Sequence, residues 1–138
     1  QIPYNLIELE MTETSLFDNR DILKDILNKF RKLKITVSMD DFGSGYSSIM
    51  MLESMPIDCL KIDKTMIDDL EVNSKAKEIL KSIISLAQSL GLVVVAEGVE
   101  QAGQYEELIR MKVDYIQGYY CARPLPLDEY EKILKLKK

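Results

Sequence analysis

The chain has 138 residues, 46% hydrophobic and 30% charged, a balance that suits one soluble domain with a real core and argues against disorder. Its formal net charge is −5, and its basic clusters, the tail 135–138 among them, are short, which argues against a nucleic-acid polymer as partner. It contains no histidine, which excludes an imidazole general base and every zinc site built on imidazole.

No apolar run approaches the ~20 residues of a membrane span; the longest, 92–96, has the length of a strand. The opening at Gln1 shows no signal-peptide pattern and suggests a piece of something longer. Cys59 and Cys121 match no metal-ligand or redox spacing and read as thiols in a reducing compartment. A cytoplasmic location is expected, with a longer parent able to be membrane-tethered through other domains.

Residues 5–11 read as a strand. Residues 19–33 then place Ile22, Leu23, Ile26, Leu27, Phe30 and Leu33 on one helical face, with Asp18 or Asn19 as N-cap. A strand over 35–39 leads into a glycine turn and a short helix over 46–53. A third strand over 57–62 precedes a helix over 74–90, whose stripe is Ile79, Leu80, Ile83, Ile84, Ala87 and Leu90, stopped by Gly91. A strand over 92–96, a helix over 101–111, a strand over 113–116 and a helix over 127–136 complete the chain. This alternation predicts βα units and a parallel sheet, either doubly wound or part of a (β/α)8 barrel.

The polar residues decide between the two. Glu10, Asp40 with Asp41, Lys61 with Asp63, Glu97 and Gln117 stand at the ends of five successive strands. A doubly wound sheet concentrates function at one crevice, whereas a barrel gathers all its C-terminal strand ends at one mouth. Taken singly, each has a bland reading: a solvated turn residue, a helix cap, or a snorkelling lysine at Lys61. Five such coincidences together favour the barrel. Glu10, Asp40, Asp41 and Glu97 would crowd four carboxylates around Lys61, and crowded carboxylates call for a cation. Oxygen ligands without His or Cys suit Mg²⁺ or Mn²⁺, and two ions about 4 Å apart are a standard clamp for displacement at phosphorus.

These residues also carry a resemblance. Glu10-Met11-Thr12-Glu13, Asp40-Asp41-Phe42-Gly43-Ser44-Gly45-Tyr46-Ser47-Ser48, Leu60-Lys61-Ile62-Asp63, Ala96-Glu97-Gly98-Val99-Glu100 and Gln117-Gly118-Tyr119-Tyr120, with Pro124 after them, resemble the metal-binding segments of the EAL-domain family in order and spacing. The resemblance implies a TIM-type barrel phosphodiesterase that linearises cyclic di-GMP to pGpG with two divalent ions, Mg²⁺ or Mn²⁺. It implies Glu10, Asp40, Asp41 and Glu97 as metal ligands and Lys61 as the lysine that holds or polarises the attacking water. It further implies Asp63 and Glu100 as supporting acids, Glu13 as anchor of the loop 42–47, and Gln117 as a residue of the substrate mouth. That loop couples metal binding to dimer contacts in the family, so self-association is expected. Two glycines flanking Ser44, which stands where threonine is commoner, give the loop its backbone freedom.

The family's name-giving Glu-Ala-Leu strand and a ligating asparagine on a later strand are not among these residues. The expected assignment is therefore 1–138 as the C-terminal portion of the domain, its last five βα units, with little activity alone. The alternative is a non-catalytic module that binds cyclic di-GMP or a partner protein. Asp41-Phe42-Gly43 imitates a kinase metal motif and Gly43-x-Gly45 a nucleotide loop, but the segments that accompany either are missing.

Overall fold

The computed structural model describes residues 2–12, 20–44 and 49–136. Five strands alternate with five helices: β1 (Glu8–Thr12), α1 (Arg20–Lys32), β2 (Thr36–Phe42), α2 (Ile49–Ser54), β3 (Cys59–Ile62), α3 (Ser74–Ser89), β4 (Val93–Ala96), α4 (Ala102–Arg110), β5 (Tyr115–Ile116) and α5 (Leu127–Leu136). All neighbouring strands are parallel, and their order in the sheet is the order in the chain. Parallel crossovers are right-handed, so strands added always on the same side put every connecting helix on one face. A doubly wound sheet reverses direction and covers both faces; this sheet has the order of a barrel.

Register and alternation separate the two faces. Val37 and Met39, Leu60 and Ile62, and Val94 and Ala96 share the helix side and join Leu27, Leu80, Ile84, Ala87 and Leu108 in the core. Glu8 and Glu10, Thr36 and Ser38, Cys59 and Lys61, Val93 and Val95, and Tyr115 share the other side. That second side is the interior of a barrel, and here it is partly open: Tyr115 keeps 65% of its surface exposed.

Several expectations need their boundaries moved. Residues 5–11 divide into a short 3-10 turn at Tyr4–Leu6 and the strand proper, because Pro3 supplies an extended entry to a turn. Strand β2 runs on through Phe42 instead of stopping at 39, by way of a bulge. Of the predicted α1 face, Leu27 is buried and Leu23 and Phe30 pack against the core, while Ile22, Ile26 and Leu33 remain exposed. The proposed cap at Asp18 or Asn19 lies outside the described residues. Gly91 does follow α3 in the left-handed region, at φ 79°.

At the end of the sheet away from the polar strand ends, two aspartates fasten neighbouring strands. Asp58 Oδ2 accepts from the Val37 amide at 3.0 Å, and its Oδ1 pairs with Arg31 at 2.9 Å. Asp114 Oδ2 accepts from the Val94 amide at 2.9 Å and from Gln88 Nε2 at 3.2 Å. Each aspartate precedes one strand and holds the start of the strand before it.

Candidate active site at the strand mouth

The bulge in β2 makes the site possible. Met39 pairs with Leu60 but Phe42 pairs with Ile62, so β2 holds one residue more than β3 over this stretch. Asp40 keeps the barrel-interior face, Asp41 takes up the extra residue at φ 56°, and Phe42 returns to the core. Aspartate is among the few side chains that accept this left-handed backbone. The turn is closed by Ser44, whose Oγ donates to the Asp41 carbonyl at 2.8 Å.

Lys61 is the centre. Its side chain rises from β3 on the interior face and keeps only 10% of its surface exposed. The ammonium meets one oxygen from each of three other segments: Glu10 Oε1 at 2.6 Å, Glu97 Oε1 at 2.9 Å and Asp40 Oδ1 at 3.2 Å. Burial alone would lower the lysine pKa, but the hydrogen bond to Glu10 and the ion pairs with Glu97 and Asp40 outweigh it and hold the group above the ordinary lysine range. Glu97 is pushed up by burial; Lys61 opposes that shift, and the charges of Asp40 and Glu10 add to it. The lysine thus stays charged, while its single charge does not fully compensate three carboxylates. Below it, burial pushes the Cys59 thiol up to about 12, with the Glu8 carboxylate adding to the effect.

Four predicted site residues, Glu10, Asp40, Lys61 and Glu97, are therefore brought together. Asp41 is exposed at the bulge and is not ion-paired with Lys61. Asp63 turns to Thr65, accepting from its amide at 2.9 Å and its hydroxyl at 2.5 Å, and this hydroxyl holds its pKa down. Glu100 pairs with Lys64 at 3.3 Å, and Gln117 lines the adjoining cleft. Glu13 and residues 45–47 of the expected switch loop lie outside the described residues.

The loops after β3, β4 and β5 lock together beside this centre. At Gly98, φ is 69° and a Cβ would lie 2.6 Å from Lys64 Cβ, so the Lys64 stem covers the glycine. The Val99 amide donates to the Gln117 carbonyl at 3.1 Å, and the Tyr120 amide donates to the Val99 carbonyl at 3.0 Å. Gln104, only 1% exposed, accepts from the Glu100 amide at 2.9 Å and the Gln101 amide at 3.0 Å through its Oε1. The sequence reading missed Gln104, although Gln101-x-x-Gln104 ahead of an apolar helix has the spacing of a capping box. It also missed the cleft beyond Gln117. This space of about 920 Å³ is lined by Gly98, Glu100, Gln117, Tyr119, Arg123 and, from α5, Tyr130 among others. Arg123 stands 4.7 Å above the Tyr119 ring centre, a cation–π pair facing the cleft.

The donors themselves suit a divalent metal. All are hard oxygens, and Asp40 Oδ1 and Glu97 Oε1 are buried without a well-formed hydrogen bond, each facing the Lys61 ammonium alone among the described residues. Among those residues no three carboxylates are placed to hold an ion by themselves, and the Lys61 ammonium stands among Glu10, Asp40 and Glu97. The chemistry of the donor set fits a hard cation, and their spacing is that of carboxylates around a lysine.

A parallel sheet in barrel order, with acidic residues gathered at its C-terminal mouth, defines a TIM-barrel-like α/β domain. The chain belongs to the EAL domain family, whose model matches residues 1–124. It is 43% identical over 129 residues to the cyclic di-GMP phosphodiesterase NbdA of Pseudomonas aeruginosa, covering 94% of this chain and 16% of that protein. The solved PaMucR phosphodiesterase in complex with c-di-GMP superposes with a TM-score of 0.85 at 35% identity, covering 94% of this chain and 52% of the other. A manganese/cy-diGMP complex of Klebsiella pneumoniae BlrP1 gives a TM-score of 0.80 at 28% identity, covering 86% of this chain and 30% of the other. The chain thus spans about a sixth of the length of its curated relatives and about half of the first solved chain. Among the described residues no helix is long and apolar enough to cross a membrane.

Proposed function

We propose that this chain carries the catalytic mouth of a divalent-metal-dependent phosphodiesterase that opens cyclic di-GMP to linear pGpG in bacterial signalling. The observation that carries the reading is the meeting of Glu10, Asp40 and Glu97, from three segments, on one buried ammonium at the strand mouth. The names of NbdA and PaMucR support the substrate, and the BlrP1 manganese complex supports the use of divalent ions.

In this reading Glu10, Asp40, Asp41 and Glu97 hold Mg²⁺ or Mn²⁺, with further ligands coming from outside these 138 residues. When bound, such ions supply the positive charge that an acidic mouth lacks toward phosphate and acidify a water for attack at phosphorus. Lys61 donates to the attacking water and orients it. Asp63, Glu100 and, at the loop 42–47, Glu13 support the mouth from outside. Gln117 and the Arg123–Tyr119 pair line a cleft suited to a planar base, which can stack on tyrosine and arginine. Self-association accompanies this function, supported by the exposed apolar residues Tyr130, Ile133 and Leu134 of α5.

The test is incubation with cyclic di-GMP and Mn²⁺ or Mg²⁺, following pGpG by chromatography. The 138-residue chain should turn over below about 1 s⁻¹, and the chain extended to a complete barrel above it. Glu97→Ala in the extended protein should abolish turnover. If the extended protein bound cyclic di-GMP without cleaving it, the enzymatic reading would be lost in favour of a non-catalytic binding module.

A further inference from the structure

We propose that Lys61 is a place-holding cation: its ammonium keeps Glu10, Asp40 and Glu97 gathered while no divalent ion is bound, and an ion enters by displacing it. This rests on the metal-dependent reading above and adds to it an order of events at the site.

The geometry argues for displacement. The ammonium stands 2.6–3.2 Å from one oxygen of each carboxylate. A Mg²⁺ or Ca²⁺ ion takes oxygens at roughly 2.0–2.6 Å, so an ion held by the same three oxygens would occupy the volume of the ammonium. Two cations do not share that space. Among the described residues no second Lys or Arg pairs with any of the three carboxylates, so Lys61 alone offsets their repulsion. The carboxylates reach the point from three separate segments, and without a cation between them their charges would drive them apart. An ammonium on a four-carbon stem suits the task, being a compact charge that leaves by rotation about single bonds without moving the strand. Lys61 then competes with the ion for one set of ligands, and removing its charge should tighten ion binding, where removal of a supporting residue would weaken it.

Lys61→Met keeps the length of the stem and removes the charge; Lys61→Arg keeps a cation. Mn²⁺ binding to the purified protein, followed by the electron paramagnetic resonance of the free ion without substrate, reads the effect independently of turnover. Lys61→Met should bind Mn²⁺ about ten-fold more tightly than the parent, and Lys61→Arg should not. Circular dichroism checks that each variant is folded. A second measurement needs no variant: in protein labelled at lysine Nζ, the Lys61 ammonium resonance should shift as Mg²⁺ is added. Equal or weaker Mn²⁺ binding by folded Lys61→Met, or a Lys61 resonance unmoved at saturating Mg²⁺, overturns the place-holder while leaving the metal reading intact. No Mn²⁺ binding by any form, the chain extended to a complete barrel included, up to about 10 mM removes the metal reading and the place-holder with it.

Discussion

Gly118 and Val99 meet backbone to backbone: a Cβ at position 118 would lie 2.1 Å from the Val99 carbonyl oxygen and 2.3 Å from its amide nitrogen. Neither atom belongs to a side chain that can turn away. Gly118→Ala should therefore push the loop after β5 off the loop after β4 and lower stability by about 1–3 kcal/mol, read from denaturant unfolding. An unchanged midpoint would mean that the two loops separate without cost.

Gln104 is the buried acceptor for two amides, those of Glu100 and Gln101. Gln104→Leu keeps the bulk and leaves both donors unpaired, a loss of about 1–3 kcal/mol. Hydrogen exchange locates the effect. The Glu100 and Gln101 amides should exchange faster in the variant by more than the global loss of stability explains, with the core of α3 following that loss alone.

Asp63 has a pKa held below the ordinary carboxylate value by the Thr65 hydroxyl. A carboxylate lowered in the folded state adds stability that is present above its unfolded pKa and lost as the pH falls through the folded one. Thr65→Val should accordingly be less stable than the parent at pH 7, and the gap should close in acid, below the folded pKa of Asp63. Acid unfolding of the two proteins by circular dichroism checks this; a gap that persists at pH 2 would assign the loss to packing.

Cys59 is buried with its thiol pushed up to about 12, whereas Cys121 is exposed. At pH 8 an aromatic disulfide reagent should titrate one thiol rapidly in the native protein and a second only after denaturation. Cys121→Ser should remove the rapid phase. Two rapid thiols in the parent would mean that the interior face opens readily around Cys59.

Much of the fold was legible because its signals are local. Apolar periodicity gave α3 nearly residue for residue, the turn at Pro124 and Pro126 marked the start of α5, and a polar group at each strand end pointed to a barrel mouth. The meeting of Glu10, Asp40, Lys61 and Glu97 follows from that placement. The bulge was not legible: Asp40 and Asp41 read as the close of a strand ahead of the glycine turn, and only the pairing with Leu60 and Ile62 shows the extra residue. Asp63 reads as a strand-end residue; the strand ends one residue earlier, at Ile62, and Asp63 caps the turn that follows. The cleft was hidden because it depends on how α5 returns across the loops after β4 and β5, a long-range relation with no local pattern.

Asp58 and Asp114 give the sheet an uneven distribution of constraint. Each fastens a pair of strands at the end remote from the mouth, through the amides of Val37 and Val94. Alignment of β2 with β3, and of β4 with β5, is thereby secured where no substrate has to be accommodated. The strands are thus kept in register independently of the loops at the opposite rim, as a hinge pinned at one edge holds its line. Substitution at either aspartate should therefore disturb the mouth from a distance of a whole strand.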